Sequence, residues 1–307
     1  MKIYSSIEQY PKNINSVLTT GTFDGVHMGH QIILNRLIQI AKKNNGESVI
    51  LTFYPHPRKV LYDDHELKLI TTQDEKLKLL ESLGIDHVVA HPFTKDFSRL
   101  SSIEFIRDIL VKELNTKKLV IGYDHHFGRN REGTFNHLKE CSSLYGFDVE
   151  EIPPLEVDKV NVSSSKVRVA LEDGDVKLAS LFLRRNYSLE GRVVTGKKIG
   201  RTLGYPTANI LVKESYKLIP KNGVYAVKVL IDNRTYKGML NIGYKPTFHT
   251  SEFTIEVNIF SFNKEIYGEL IQLEFIDRIR DEKQFNSKQQ LIQQLQIDKN
   301  KVDKILH

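Results

Sequence analysis

Hydrophobic residues in the first half of the chain alternate between two periods. Short apolar runs typical of buried strands, the first being "SVLTT" at residues 16–20, precede segments whose apolar residues recur every three to four positions, as in helices. Further strand candidates are "GESVILTF", "DHVVAH", "KLVIG" and "FDVEEI". Strands that alternate with helices predict a doubly wound parallel sheet with helices on both faces, in which ligands bind beyond the carboxyl ends of the strands.

Polar residues mark the ends of the helices between these strands. Thr72 with Glu75, and Ser101 with Glu104, have the spacing of capping boxes. Gly84 is placed to end the first of these two helices, because glycine adopts the left-handed conformation found after a helix. These local signals predict where the helices begin and end.

The hydrophobic pattern changes near Arg185. After a last helix in "DVKLASLFLRRN", segments of period two dominate, including "YSLEGRVV", "GVYAVKVLI", "YKGMLNI" and "FTIEVNIFSF". Short strands separated by turn residues indicate a small antiparallel barrel or sandwich. A polar amphipathic helix that includes "LIQQLQIDKNKVDKIL" closes the chain. We therefore predict two domains, an α/β domain over residues 1–185 and a β domain over residues 186–307.

Composition restricts the class of protein. The chain has 307 residues, of which 40% are hydrophobic and 27% charged, as in ordinary globular domains. No run is long enough to span a bilayer and the N-terminus is polar, so we expect neither a membrane span nor a signal peptide. Cys141 is the lone cysteine, which fits a reducing cytoplasm. The net charge of +6 predicts anionic partners but does not distinguish phosphorylated small molecules from nucleic acid.

A glycine-rich stretch, "GTFDGVHMGH", joins the first strand to the first helix. Glycines allow close approach of the main chain to a partner, and the N–H groups at a helix N-terminus bind anions. His27 and His30 could instead bind a metal, but no third ligand is evident nearby, and Asp24 could simply form an Asx-turn. The position after a strand favours phosphate binding.

Two further segments carry phosphate-binding features. "NVSSSKVR", at residues 161–168, combines serines with Arg168 at a helix start, although serine there is also an ordinary helix cap. "GKKIGRTLGYPTANI", at residues 196–210, is a cationic loop with several glycines that could also be a basic surface hairpin. Thr207 and Asn209 in this loop offer hard oxygen atoms, which suit Mg²⁺ that is also bound by phosphates.

Glu256 lies in the alternating strand "TIEVNIF". It shares one face of that strand with Thr254 and Asn258, whereas Ile255 and Val257 point to the other. Most such glutamates are solvated. One that faces a bound hydroxyl could act as a general base.

Taken together, these motifs resemble the bacterial bifunctional riboflavin kinase/FAD synthetase family over nearly the whole chain. The matching stretches, in order, include "GTFDGVHMGH", "FYPHPRKVL", "VSSSKVR", "GRTLGYPTAN", "NGVYAV", "LNIGYKPTF" and "IEVNIFSFNKEIYG". The resemblance implies an N-terminal nucleotidyltransferase domain that adenylylates FMN and a C-terminal six-stranded barrel, with a closing helix, that phosphorylates riboflavin. It also implies that the glycine-rich loop binds the ATP triphosphate.

The resemblance also implies site residues. In the adenylyltransferase, the catalytic residues would be His30 and Arg168. ATP would be bound there by Gly21, Phe23, Asp24, Gly25, His27, Gly29, His30, Ser164, Ser165 and Arg168, and FMN by Phe53, Pro55, Pro57 and Asp124. In the kinase, Glu256 would be the catalytic base, and Thr207 and Asn209 would bind Mg²⁺. The kinase would bind ATP through Gly196, Lys198, Gly200, Arg201, Gly204, Pro206, Thr207 and Asn209, and flavin through Asn222, Gly223, Tyr225 and Arg280.

Some residues depart from the family pattern, namely His125, His126, Tyr244, Lys245, Asn258 and Ser261. Since the phosphate motifs are intact, these changes bear on flavin affinity and relative rates rather than on reaction type. Three alternatives remain at this point: a chain that retains one of the two activities, a nucleotidyltransferase of other specificity, and a flavin-sensing or nucleic-acid-binding regulator. We expect small-molecule partners, namely riboflavin, FMN and ATP, without nucleic acid or membrane, and a cytoplasmic monomer or weak homo-oligomer.

Overall fold

A computed structural model describes residues 1–64, 66–122, 126–152, 156–157, 160–196, 199–246 and 251–306. The chain divides into two compact units, Met1–Ser164 and Ser165–His307. Each unit has its own sheet, which agrees with the predicted α/β and β parts. Across the part of the chain that is described, no helix is both long and apolar enough to cross a membrane.

The first unit is built on a six-stranded sheet whose strands all pair in parallel. The order of the strands is β1-β4-β3-β2-β5-β6, so the sheet grows in opposite directions from the neighbouring central strands β2 and β5. The strands are β1 (Lys2–Tyr4), β2 (Ser16–Thr20), β3 (Glu47–Tyr54), β4 (His87–Pro92), β5 (Thr116–Gly122) and β6 (Asp148–Ile152). A short antiparallel ribbon follows, formed by β7 (Glu156–Val157) and β8 (Val160–Asn161).

Successive residues of these strands face opposite sides of the sheet, and both sides are buried. Val17 packs in one apolar cluster and Leu18 in the other, and both are almost inaccessible to solvent. The helices of this unit are α1 (Met28–Lys43), α2 (Pro57–Leu61), α3 (Gln73–Ser82), α4 (Ser102–Glu104) and α5 (Phe135–Tyr145). This arrangement confirms the predicted parallel sheet with helices on both faces.

The predicted helix ends are confirmed, with one difference inside a helix. Both capping boxes form, at Thr72 and at Ser101, and Gly84 adopts the left-handed conformation. The helix that begins with α4 continues as a π-helix over Phe105–Glu113. Its wider hydrogen-bond spacing is seen where the Leu114 N–H donates to the Ile109 carbonyl, five residues back. Hydrophobic periodicity did not reveal this change.

The second unit contains a closed barrel with the strand order β10-β13-β12-β11-β14-β9. All of its strand pairs are antiparallel, which confirms the predicted six-stranded barrel. The strands are β9 (Ser188–Val194), β10 (Ala208–Leu211), β11 (Gly223–Ile231), β12 (Arg234–Pro246), β13 (Ser251–Ile259) and β14 (Leu270–Arg280). The helices are α6 (Ser164–Glu172), α7 (Val176–Leu183), α8 (Ile199–Thr202) and α9 (Lys288–Ile305).

The two faces of the barrel wall differ. Paired residues Tyr225, Leu240 and Val257 are fully buried and fill the interior. On the outer face, Val224 and Met239 form an apolar cluster with Val302 of the closing helix α9. This helix therefore covers part of the outer wall.

The helices that precede the barrel pack against it. The Lys177 ammonium of α7 lies 2.6 Å from the Asp277 carboxylate of β14, and the Lys221 N–H donates to the Leu171 carbonyl of α6. The division into compact units thus places these helices with the barrel, ahead of the boundary predicted at Arg185. Residue 185 as the limit of an independently folding domain stays a prediction.

Candidate active sites

The glycine-rich loop, residues 21–27, lies at the carboxyl end of β2, where the strand order reverses. Ligands of doubly wound sheets bind at this place. Gly25 has a φ of +81°, and a side-chain Cβ there would lie 2.9 Å from the Ile70 side chain. Only glycine fits this position. His27 then caps α1, so the loop leads directly into the N-terminus of a long helix.

His27 and His30 are brought together at this helix N-terminus, as predicted. Their rings stack with centroids 3.6 Å apart, and the His30 N–H donates to His27 Nδ1 over 3.4 Å. The Nδ1 atom of His30 is buried, and within the described residues it has no hydrogen-bond partner. Desolvation, with the nearby charges of His27 and Lys76, lowers the pKa of His30 well below its usual value. His30 is therefore neutral at pH 7 in the free protein.

Asp24 fastens the loop to the segment that precedes α3. Its carboxylate accepts hydrogen bonds from the N–H groups of Ile70 and Thr71, at 3.2 and 3.1 Å. The Thr71 hydroxyl also donates to this carboxylate over 3.3 Å, and it accepts a hydrogen bond from the Gly25 N–H over 3.1 Å. The side chain of Asp24 is only 3% exposed. Asp24 therefore stabilises the conformation of the loop.

Lys76, in α3, is a residue of this site that sequence reasoning missed. Its ammonium donates to the Thr22 carbonyl and the Thr52 hydroxyl, at 3.2 and 3.1 Å. Burial lowers its pKa to about 8, a shift that the charge of Asp24 opposes. A signal was present in the sequence, because Lys76 lies one turn before the buried Leu80 and thus on the apolar face of the helix.

The serine motif also reaches the glycine-rich loop. The Ser164 hydroxyl, at the start of α6, donates to the Asp24 carbonyl over 3.0 Å. Ser165 and Arg168 follow in the same helix, and Arg168 is buried, with 9% of its surface exposed. The hydrogen bond of Ser164 is a contact between the serine motif and the loop, and phosphate binding by Ser164, Ser165 and Arg168 stays a prediction.

Of the residues predicted to bind FMN, Phe53 lies near the end of β3, and Pro55 and Pro57 follow that strand. Phe53 packs against Phe93 and Phe97, with ring centroids 5.4 and 5.5 Å apart. Pro57 is the first residue of the short helix α2, which Pro55 precedes. Asp124, and the departure at His125, lie outside the described residues.

In the barrel, the strand register places three polar residues side by side. Asn209 of β10 pairs with Glu256 of β13, and Glu256 pairs in turn with Asn241 of β12. Paired residues point to the same face, so these three side chains form a row on the outer wall. Glu256 thus lies on the face opposite the buried Val257, as the alternation predicted. Asn241 had not been singled out from the sequence.

The loop before β10 packs tightly against this row. A Cβ at Gly196 would lie 2.1 Å from the side-chain nitrogen of Asn209, and one at Gly200 would lie 2.3 Å from the Tyr205 carbonyl. Asn258, a departure from the family pattern, donates to the Pro206 carbonyl over 2.6 Å. Thr207 follows directly, and Gly204, with a φ of +81°, forms the turn before it. Arg201 is exposed, and Lys198 lies outside the described residues.

The residues predicted to bind flavin in the kinase occupy different environments. Asn222 directly precedes β11 and Gly223 begins it, and a Cβ at Gly223 would lie 2.6 Å from the Arg280 carbonyl. The guanidinium of Arg280 is bound to the fully buried Asp298 of α9 at 2.8 Å. Tyr225 differs from the prediction, because its side chain is 0% exposed in the barrel interior and its hydroxyl donates to the Lys221 carbonyl. A direct contact of Tyr225 with flavin does not fit this structure.

Comparison with known proteins identifies both units. A family model described as FAD synthetase matches residues 9–166, and one described as riboflavin kinase matches residues 183–306. The chain is 41% identical over 303 residues to the bifunctional riboflavin kinase/FMN adenylyltransferase of Buchnera aphidicola subsp. Schizaphis graminum, covering 97% of this chain and 96% of that protein. The chain belongs to this family of bifunctional enzymes.

Other relatives agree with membership in the bifunctional riboflavin kinase/FMN adenylyltransferase family. The family member from Bacillus subtilis is 40% identical over 289 residues, which cover 92% of this chain and 90% of that one. A crystal structure from Streptococcus pneumoniae, named as a macrolide-efflux protein, is similar over 97% of both chains, with a TM-score of 0.89 and 34% identity. That name describes the other protein, whereas the family here rests on the two domain matches and the enzyme relatives.

Family membership confirms the sequence-based resemblance and the prediction of two transferase activities in one chain. The substrates and products that follow from these activities are riboflavin, FMN, ATP and FAD. The glycine-rich loop lies in the segment that matches FAD synthetase, and the Asn209–Glu256–Asn241 row lies in the segment that matches riboflavin kinase.

Proposed function

We propose that the two sites described above carry out the two reactions separately, with adenylyl transfer at the glycine-rich loop and phosphoryl transfer at the row around Glu256. The observation that carries this assignment is the placement of Glu256 between Asn209 and Asn241 on the barrel wall. A carboxylate in such a row suits a reaction that must remove a proton from an alcohol. The glycine-rich loop provides no comparable carboxylate, because Asp24 is occupied with Ile70 and Thr71.

In the adenylyltransferase, an oxygen of the FMN phosphate attacks the α-phosphorus of ATP, and pyrophosphate leaves. This nucleophile is already ionised at neutral pH and needs no base. The chain then acts by positioning and by stabilising charge. The N–H groups at the start of α1 and the rings of His27 and His30 would bind the triphosphate, with Ser164, Ser165 and Arg168 completing the site. An arriving triphosphate would also favour protonation of His30, whose Nδ1 is buried and unpartnered among the described residues.

In the kinase, the 5′-hydroxyl of riboflavin attacks the γ-phosphorus of ATP, and ADP leaves. Glu256 would accept the hydroxyl proton as the new O–P bond forms. Asn209 and Asn241, on either side of it, would orient the carboxylate and the substrates. The loop with Gly196, Gly200 and Gly204 would lie along the phosphates, because glycines allow the main chain to come close.

We propose that Thr207 and Asn209 bind Mg²⁺ in the kinase. Within the described part of the chain there is no group of three histidines, cysteines or carboxylates suited to a metal. One or two neutral oxygen ligands fit an ion that obtains its other ligands from phosphates and water. When bound, Mg²⁺ neutralises part of the phosphate charge.

The flavin sites and the cellular setting belong to the same proposal. FMN would bind near Phe53, Pro55 and Pro57, and riboflavin near Asn222 and Gly223. Arg280 would contribute through its ion pair with the closing helix. We expect the enzyme to act in the cytoplasm as a monomer or weak homo-oligomer, which sedimentation of the purified protein would measure.

The direct test is to incubate the purified protein with riboflavin, ATP and Mg²⁺ and to separate the flavins by chromatography. FMN should appear first and FAD second, and a metal chelator should stop both steps. FMN supplied directly should yield FAD without riboflavin. A protein that binds flavin and leaves ATP unconsumed would contradict the proposal.

A further inference from the structure

The glycine-rich loop has main-chain conformations that need outside support. Phe23 and Val26 have φ angles of +49° and +41°, in the left-handed region that residues with a Cβ rarely occupy. Such conformations persist only where the surrounding structure holds them. Within the unit that contains the loop, two of the fastenings, that is, sets of hydrogen bonds that hold the loop, involve α3 or the residues just before it.

The first fastening is the Asp24 carboxylate with its partners Ile70 and Thr71. The second is Lys76, one helical turn further on. Its ammonium donates to the Thr22 carbonyl, and the Thr52 hydroxyl that it also contacts donates to the same carbonyl over 3.3 Å. Lys76 is only 6% exposed, and Thr52 is fully buried. The residue on each side of the strained Phe23 is therefore held.

We propose that Lys76 is a positioning residue of the adenylyltransferase, whose ammonium group holds the glycine-rich loop at Thr22 in the conformation that receives the ATP triphosphate. This inference rests on the proposed function of the loop. Lys76 acts through the main chain of the loop and through its charge, without touching the reacting atoms. Burying a lysine costs free energy, so a buried lysine without this role would be replaced at low cost by an apolar residue.

The charge of Lys76 makes the conformation of the loop depend on pH. The pKa of Lys76 is about 8, and the charged groups that act on this site are Asp24 in the loop and the histidine pair, His27 and His30, at the start of α1. Above pH 8, Lys76 becomes neutral and no longer offsets the charge of Asp24. Below that pH, its charge is one of the causes that keep the pKa of His30 low. Loss of the charge should therefore affect both the loop and His30.

The test uses the full-length enzyme with Lys76→Met and, as a matched control on the exposed side of the same helix, Lys78→Met. Adenylylation of FMN is measured from pH 6.5 to 9.5. Thermal unfolding of each variant reports on folding, and phosphorylation of riboflavin in the same preparation reports on the kinase. We expect Lys76→Met to reduce kcat/KM for ATP by about tenfold or more in adenylylation at pH 7, with the kinase unchanged. The wild-type profile should fall above pH 8, and this fall should disappear in Lys76→Met.

A second measurement separates positioning from simple packing. In NMR titrations, the midpoint of His30 should rise in Lys76→Met and stay unchanged in Lys78→Met. Thr52→Val, which keeps the lysine and removes its hydroxyl partner, should weaken adenylylation while leaving the fall above pH 8 in place. If Lys76→Met does not fold, the wild-type pH profile and the adenylylation rate of Thr52→Val still test the role of Lys76.

A wild-type kcat/KM that is constant from pH 7 to 9.5, or an adenylylation rate in folded Lys76→Met equal to that of Lys78→Met, would overturn this inference. The His30→Ala variant distinguishes such a result from failure of the proposed function. Loss of adenylylation in His30→Ala with full activity in Lys76→Met would refute the role of Lys76 alone. Full adenylylation in His30→Ala would refute the assignment of the loop itself.

Discussion

The two sites that we propose for this enzyme would bind phosphate with different parts of the polypeptide. In the first unit, the site is a strained loop and a helix N-terminus, so its central groups come from residues 21–30. In the barrel, the central groups are side chains on three strands, at Asn209, Asn241 and Glu256. The difference follows the chemistry. A phosphate nucleophile needs charge stabilisation and positioning, whereas an alcohol also needs a proton acceptor.

The strongest test of this contrast is Glu256→Gln, which keeps the size of the side chain but cannot accept a proton. Loss of a general base usually costs roughly 10²–10⁴ in rate. Riboflavin phosphorylation should fall by that amount, while FMN supplied directly should still be converted to FAD. Glu252→Gln, on the same strand, is the matched control. Phosphoryl transfer can have a loose transition state with little need for a base. A small loss of kinase rate in Glu256→Gln together with a large loss in Glu256→Ala would therefore mean that Glu256 orients the substrate and does not accept its proton. Unchanged kinase rates in both would remove Glu256 from the site.

The converse test is His30→Ala. Removing a positioned group that stabilises developing charge typically costs about 10²–10³ in rate. FAD formation should fall by this factor, while FMN formation continues, and Arg168→Ala should act in the same direction. The exposed His137→Ala provides the control. Equal loss of kinase activity in a folded His30→Ala protein would show that the two sites are not separate.

A smaller effect is expected from Gly196→Ala, which tests how closely the kinase loop must approach Asn209. Because the new Cβ would lie 2.1 Å from the Asn209 side chain, either the loop or Asn209 must move. Misplacement by about 1 Å can cost up to about 10²-fold, so the kinase rate should fall within that limit and adenylylation should not change. Adenylylation by the same variant serves as the control. A normal kinase rate in Gly196→Ala would mean that this contact is not needed.

The smallest effect concerns stability and pH. The pKa of His30 is lowered in the folded protein, so between its folded and unfolded pKa the unfolded state binds more protons. Its contribution to stability is therefore complete above about pH 6.5 and decreases as the pH falls, by at most about 1.4 kcal/mol per pH unit. Urea unfolding of the wild type and His30→Gln from pH 5.5 to 7.5 measures this difference. If the free energy of unfolding changed with pH equally in the wild type and in His30→Gln, this prediction would be wrong.

Sequence reasoning reached the two proposed sites by different routes. The glycine-rich loop, its two histidines and the helix after it were predicted directly, because all lie within one continuous segment. The choice of Glu256 depended on the family resemblance, since alternation gives the face of a strand without telling which face meets a ligand. Lys76, Asn241 and the burial of Tyr225 were not predicted. Asp124 and Lys198 lie outside the described residues, so the sequence-based expectations for them stay predictions.

The sequence by itself determined the features that depend on neighbouring residues: the alternation of strands and helices, the capping boxes, the glycine-rich loop and the change to period two. Only the tertiary structure decided which distant residues meet. The pairing of β10, β13 and β12 aligned Asn209, Glu256 and Asn241. The position of α3 brought the Lys76 ammonium within hydrogen-bond distance of the Thr22 carbonyl and of Thr52 in β3. The physical reason is that periodicity and capping are local, whereas strand register and buried polar partners arise from contacts between segments far apart in the chain.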